Sequence, residues 1–175
     1  MERRRPGALT LSEDDRRVLA SWAAGCAERT LPLFDAAAPD DPRPREAIAG
    51  VRRFARGELR IGAARGLAAA AHAAAREVGD PAATAAARAA GHAAATAHMA
   101  AHARGAPAYA TIAVGLAAPD DPDLVGEETR WQLAQATPAV REILRRLPAP
   151  PGGGGRLGEL IGDLHANVTR TDRSG

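Results

Sequence analysis

Histidine is the side chain best suited to carry a proton or hold a metal near neutral pH. The chain has five, and three fall in the run AGHAAATAHMAAHARGA, at His92, His98 and His102. On a helix spanning 81–104, His98 and His102 share a face, while His92 lies about 120° from the first and about 80° from the second. A metal centre needs ligands that converge, and one helix alone does not converge these three. The pair four residues apart has zincin spacing, but Met99 follows His98 where a zincin carries glutamate. Neither does the chain show the paired Glu-x-x-His pattern of helical di-iron proteins. No bound metal and no cofactor are therefore expected.

The preceding helix, 59–78, is joined to 81–104 by a very short turn, so the two should run antiparallel with facing residue numbers summing to about 160. That register sets His72 against Arg88, His102 against Glu58, and His92 against Ala68, which offers it no partner. Glu58 would raise the pKa of His102, and Arg88 would lower that of His72. Two readings follow. In one, the histidines are buried polar groups satisfied by their neighbours. In the other they form a site, with His72, His98, His102 and Glu58 as candidate catalytic groups and Arg45, Arg52 and His92 as candidate ligand-binding groups. Arg45, Arg52 and Arg56 lie on one flank of a helix over 42–56. They form either a salt-bridged flank or an anion clamp with Glu58 and His72. Trp22 and Trp131 read as core or rim anchors. Cys26 reads as buried and inert. The GGGG run at 152–155 lacks the lysine and preceding strand of a phosphate loop. No serine nucleophile-elbow motif is found.

The elements that must position these groups are helices. Alanine, the best helix former, makes up about a quarter of the chain, and aromatics only 3%. A core so poor in large side chains must be held by close backbone approach and many small contacts. Ser12 followed by Glu13, Asp14 and Asp15 is a helix start. Asp41-Pro42, Asp80-Pro81 and Asp121-Pro122 each put an acid at a cap and proline at the first helical position. Helices are expected at about 12–29, 31–37, 42–56, 59–78, 81–104, 107–117, 122–136 and 138–147, with breaks at Gly57, Gly79 and Gly105. Strand alternation is missing. The fold class is all-α, a compact alanine-rich bundle of about six to eight helices. The organisation is a disordered arm at 1–10, a helical domain at 11–147, and a flexible Pro/Gly linker at 148–155. A tail at 156–175 follows, carrying a possible short amphipathic helix from Leu157 to about His165.

Charge excludes some functions. Lysine is absent, the 23 basic residues are all arginine and lie scattered, and the net charge is +2. The sequence pI of 9.4 reflects arginine's high pKa rather than a basic patch, so nucleic acid is not an expected partner. No apolar run has membrane-spanning length. MERRRPG is followed by no apolar segment of a secretory signal. One cysteine cannot form an internal disulfide. A cytoplasmic protein is the expectation.

The runs LSEDDRRVLASWAAGCAERTLPLF, DDPRPREAI, AGHAAATAHMAAHARGA and ETRWQLAQATPAVREIL, in that order over residues 11–147, resemble the Imm-5-like immunity proteins of actinobacteria. The resemblance implies an all-helical cytoplasmic protein of a polymorphic toxin system whose partner is a cognate toxin, neutralised by binding and occlusion. It brings no catalytic residue with it. Its matched positions of interest are Arg45, Glu46, Glu58, His72, His92, His98 and His102. The near-neutral charge points away from a strongly basic nuclease as the toxin, unless the acids gather on one face. A competing reading is a small-molecule-binding self-resistance protein or a non-metal enzyme of a natural-product pathway. It would use a cavity lined by His, Arg and Glu between helices. A toxin gene next door favours the first reading, and a biosynthetic cluster the second.

Overall fold

The computed structural model describes residues 11–170, and among these the secondary structure is helical, with no strand. The proposed arm at 1–10 and the end of the tail, 171–175, lie outside the described residues. The α-helices are α1 (Glu13–Glu28), α2 (Leu31–Ala37), α3 (Arg43–Ala55), α4 (Ile61–Glu77) and α5 (Pro81–Ala95), then α6 (Gly105–Ala117), α7 (Asp123–Gln135), α8 (Pro138–Arg146) and α9 (Gly155–Thr169). A 3₁₀ segment, η1, covers Ala100–Arg104 between α5 and α6. The ninth helix is the tail helix, longer at both ends than the sequence suggests.

The start signals at Ser12 and Asp80-Pro81 act as read. At Asp41-Pro42 and Asp121-Pro122 the proline itself is the cap residue, with no side-chain cap bond, and α3 and α7 begin one residue later, at Arg43 and Asp123. The Asp15 amide donates to Ser12 Oγ at 3.0 Å, and the Ser12 amide donates back to the Asp15 carboxylate at 3.3 Å. That is a reciprocal cap closing two free helix donors. Asp80 accepts from the Ala83 amide at 2.7 Å, with Pro81 opening α5.

Helix α5 is the axis of the molecule. Eleven of its residues are buried, and all of them are alanine or glycine. Only the stripe of Thr84, Arg88 and His92 is polar and part-exposed. A helix apolar around the rest of its circumference must be largely surrounded, and α1, α2, α3, α4 and α6 all pack on it. Alanine surfaces allow helix axes to approach toward the short end of the usual 8–10 Å range. The larger buried side chains sit around this axis. Phe54 and Val51 of α3 join the alanines of α1, α4, α5 and α6. Phe34 of α2 packs on α5 at the other end. Leu19 and Trp22 of α1 meet Val140, Ile143 and Leu144 of α8 together with Leu164 and Val168 of α9. The tail helix is thus docked on the body. The Arg145 Nε–H donates to the Val168 carbonyl at 2.7 Å, satisfying a free acceptor in its last turn.

One helix of the sequence reading is corrected. Residues 81–104 are not continuous. The α-helix ends at Ala95, the chain turns through 96–99 with Met99 extended (φ −147°, ψ 105°), and η1 then runs directly into α6. The break falls at 96–99 and not at Gly105. Thr96 marks the spot. Its hydroxyl donates to the His92 carbonyl at 3.1 Å, a side-chain bond that competes with helix continuation.

Candidate functional site

Because the chain turns after Ala95, His102 folds back over α5. Its Nδ1 lies 3.1 Å from Nδ1 of His92. The ring centroids of these two are 4.9 Å apart. His72 of α4 stands edge-on to His92 at 5.3 Å, and His98 lies 5.6 Å from His102. Tyr109 of α6 covers His92 at 5.0 Å. Four of the five histidines therefore form one seam, which the straight-helix reading did not foresee. The expected His102–Glu58 pair is not made. Glu58 is exposed and bound bidentately by Arg56, at 2.9 and 2.8 Å. His92, left without a partner by the hairpin register, has His102.

Glycine makes the seam possible. A Cβ on Gly91 would stand 2.6 Å from the His72 ring, and one on Gly105 2.3 Å from His92 Nδ1. Both rings fill space that any other residue would occupy. The α4–α5 register is accordingly shifted by about one helical turn, so that His72 faces Gly91 and His92 rather than Arg88.

The seam is neutral by construction. Burial pushes the His92 pKa from 6.5 down to about 3, with His102, His72 and Arg88 adding to the shift. His72 is lowered by burial first and Arg88 second, the direction anticipated. His98 is lowered by burial and Arg65. His102 is also lowered, by burial and then by His98, opposite to the rise expected from Glu58. Two neutral imidazoles joined Nδ1 to Nδ1 must hold complementary tautomers: one carries its proton on Nδ1, the other on Nε2. The Nδ1 atoms of His72 and His98 are buried without a hydrogen-bond partner. Among the described residues no group of three or more His, Cys, Asp or Glu side chains is placed to hold a metal ion. Cys26 is buried under α8 and α9, and burial pushes its thiol pKa well up, so no thiolate nucleophile forms there.

His92 and His102 border a cavity of about 320 Å³. Its far wall is the 150–154 segment and the first turns of α9. The charged group in its lining is Arg104, 5% exposed. Sequence reasoning missed this residue. No local signal marks it: the run AHARGAPA also carries His102, and Arg104 is covered by Pro148 and by α9, far along the chain.

The arginine flank of α3 is elsewhere. Arg45 binds Asp35 at 2.6 Å, and Arg52 binds Glu28. Neither meets His72, so the residues proposed as one clamp are distributed over separate ion pairs. Arg52 and Arg56 instead line an open groove of about 670 Å³ with Arg17, Val18 and Trp131. Arg29 lies over the Trp131 ring, its guanidinium carbon 4.0 Å from the centroid, and its Nε–H donates to the buried Glu128 at 2.8 Å. Glu128 also accepts from Gln132 Nε2 at 3.0 Å. Trp22 donates its indole N–H to the Gln132 carbonyl at 3.0 Å. The groove floor is therefore fixed by buried hydrogen bonds, while its rim is charged.

No helix among the described residues is long and apolar enough to cross a membrane. No curated protein and no solved structure matches the chain. A family profile described as "Imm-5 like putative immunity protein" matches residues 9–139, from just before α1 into α8. The chain belongs to the Imm-5-like immunity protein family.

Proposed function

We propose that this chain is a cytoplasmic immunity protein that neutralises a cognate toxin by binding and occluding it, through the groove between α1, α3, α7 and α8. The observation that carries the reading is the composition of that groove. It presents Trp131 and three arginines around Val18 on a floor held by Trp22, Gln132 and Glu128. Tryptophan and arginine are the residues that most often dominate binding at protein interfaces. The ion pairs of the rim arginines among the described residues are with partly exposed carboxylates such as Glu13, Glu28 and Glu58. Exposed pairs of that kind are weak, so acidic groups on a partner can displace them. All the lining residues but Val140 lie within the segment 9–139 that defines the family. The partner surface that fits is acidic, with a pocket for an indole.

The test is growth protection. The chain is co-expressed with toxins encoded beside its gene, and binding is measured by calorimetry. Trp131→Ala and Arg52→Glu are each expected to weaken binding by about 2 kcal/mol, roughly 30-fold, and to abolish protection. Full protection by both folded variants would remove the groove from the mechanism.

A further inference from the structure

Arg104 is an exception among the buried groups of this chain. Its Nη1 donates to the Pro148 carbonyl at 2.9 Å and lies 3.4 Å from Nδ1 of His165. Its Nε–H is buried and has no partner. None of the ion pairs among the described residues includes it. Arginine does not lose its proton in proteins. Among the described residues, the fold therefore holds a full positive charge with only neutral acceptors around it. Such a charge is unfavourable unless something anionic reaches it.

The cavity beside Arg104 is built to admit that group. Its volume, about 320 Å³, is in the small-ligand range. Leu157 and Ile161 of α9, with Met99 and Pro150, make most of its wall apolar. Met99 is 53% exposed and stands where the cavity reaches solvent. The first turn of α9 also opens onto it. Its cap residue is Gly154, with φ +91° and no capping side chain, so the free amides and positive dipole end of the helix are unclaimed by any side-chain cap. Gly158 is required there, since a Cβ at that position would strike the Gly153 carbonyl oxygen at 1.8 Å. His92 and His102 add neutral imidazole edges to the same lining. No carboxylate side chain lines the cavity.

We infer that this cavity is a binding site for a small organic monocarboxylate, its carboxylate on Arg104 and its apolar body against Leu157, Ile161 and Met99. One cation in an apolar wall suits a single negative charge with a hydrocarbon body better than a phosphate, which takes several donors. The site is separate from the arginine groove. It is closed by α9, which lies beyond the family segment 9–139, so it is a property of this chain and not of the matched domain.

The probes are hexanoate and benzoate, with hexanamide and benzamide as uncharged controls of the same shape. Calorimetry on the full chain is expected to show saturable binding of at least one acid. Its amide should bind about 10- to 100-fold more weakly, the worth of a hydrogen bond to a charged group. Arg104→Gln is expected to erase the difference between acid and amide. Ile161→Trp, which fills the cavity from α9 and leaves Arg104 in place, is expected to abolish binding of both. Should Arg104→Gln fail to fold, the acid–amide comparison in the wild type and the Ile161→Trp variant still decide. Equal affinity for acid and amide would overturn the inference. So would the lack of saturable binding by either acid at concentrations on the order of 10 mM, or undiminished binding by folded Ile161→Trp.

Discussion

The histidine seam and the arginine groove manage charge in opposite ways. In the seam, His72, His92, His98 and His102 are drawn out of water and pressed together, and each has its pKa lowered, by burial first. In the groove, Arg17, Arg52 and Arg56 keep their charge, each beside a carboxylate of its own. The seam couples its members through packing, so disturbing one disturbs the fold. The groove couples its members weakly, so its side chains can change partner without loss of structure. A surface that must recognise another protein can be built the second way and not the first.

The sharpest way to break this contrast is acid. His92 takes its proton near pH 6.5 when unfolded but only near pH 3 when folded. Above pH 6.5 neither state is charged and the seam is indifferent to pH. As pH falls from 6.5 toward 3, the unfolded chain alone binds the proton, so stability falls. His92 by itself should remove about 2 kcal/mol by pH 5. The other three seam histidines act in the same direction. Urea melts between pH 7.5 and 5 measure this. His92→Gln should flatten the slope. A wild-type stability that holds steady down to pH 5 would mean that the seam is already charged or open to water.

A smaller effect comes from the glycines. Gly105→Ala pushes a methyl into the His92 ring, and overpacking of this kind costs roughly 1–3 kcal/mol. Removing a helix glycine gives back at most about 1 kcal/mol. The net expectation is a loss of about 1–2 kcal/mol. Gly66 is exposed in the middle of α4 and has nothing within 4 Å of its added Cβ. Gly66→Ala should therefore stabilise by roughly 0.5–1 kcal/mol. Thermal melts of the two variants should move apart in opposite directions. A stabilised Gly105→Ala would show that the seam has room to spare.

Local signals were legible in the sequence, and the seam was not, for a physical reason. Ser12, Asp80-Pro81 and the alanine content depend on a few adjacent residues, and they place the starts of α1 and α5 correctly. The seam depends on where α5 ends. That end is set by 96–99, where Thr96 bonds back to His92 inside a run of alanines that reads as unbroken helix. Continuing the helix to 104 sent His102 toward Glu58, whereas the turn returns it to His92. The hairpin register erred by about one helical turn, because alanine faces look alike at each turn. The glycine that fixes the register, Gly91, is recognisable only once the His72 ring is seen against it. Arg104 was overlooked because its burial depends on α9, a helix that follows a Pro/Gly segment which by composition promises nothing.

The smallest stability effect should come from the groove, and it is the most informative one for function. Arg52 bonds Glu28 across α3 and α1 with both side chains substantially exposed, at 37% and 54%. Double-mutant cycles on exposed pairs give about 0–1 kcal/mol, and the aliphatic stem of Arg52 packs only at the groove edge. Arg52→Ala should therefore change unfolding stability by less than about 0.5 kcal/mol. The same change removes a donor from the centre of the proposed toxin surface, where a desolvated arginine contact is worth far more. The expected signature is a normal melting curve with impaired protection. A normal melt with intact protection would place the toxin on another face. A large drop in stability would mean that the groove, like the seam, is architecture, and the difference between the two regions would disappear.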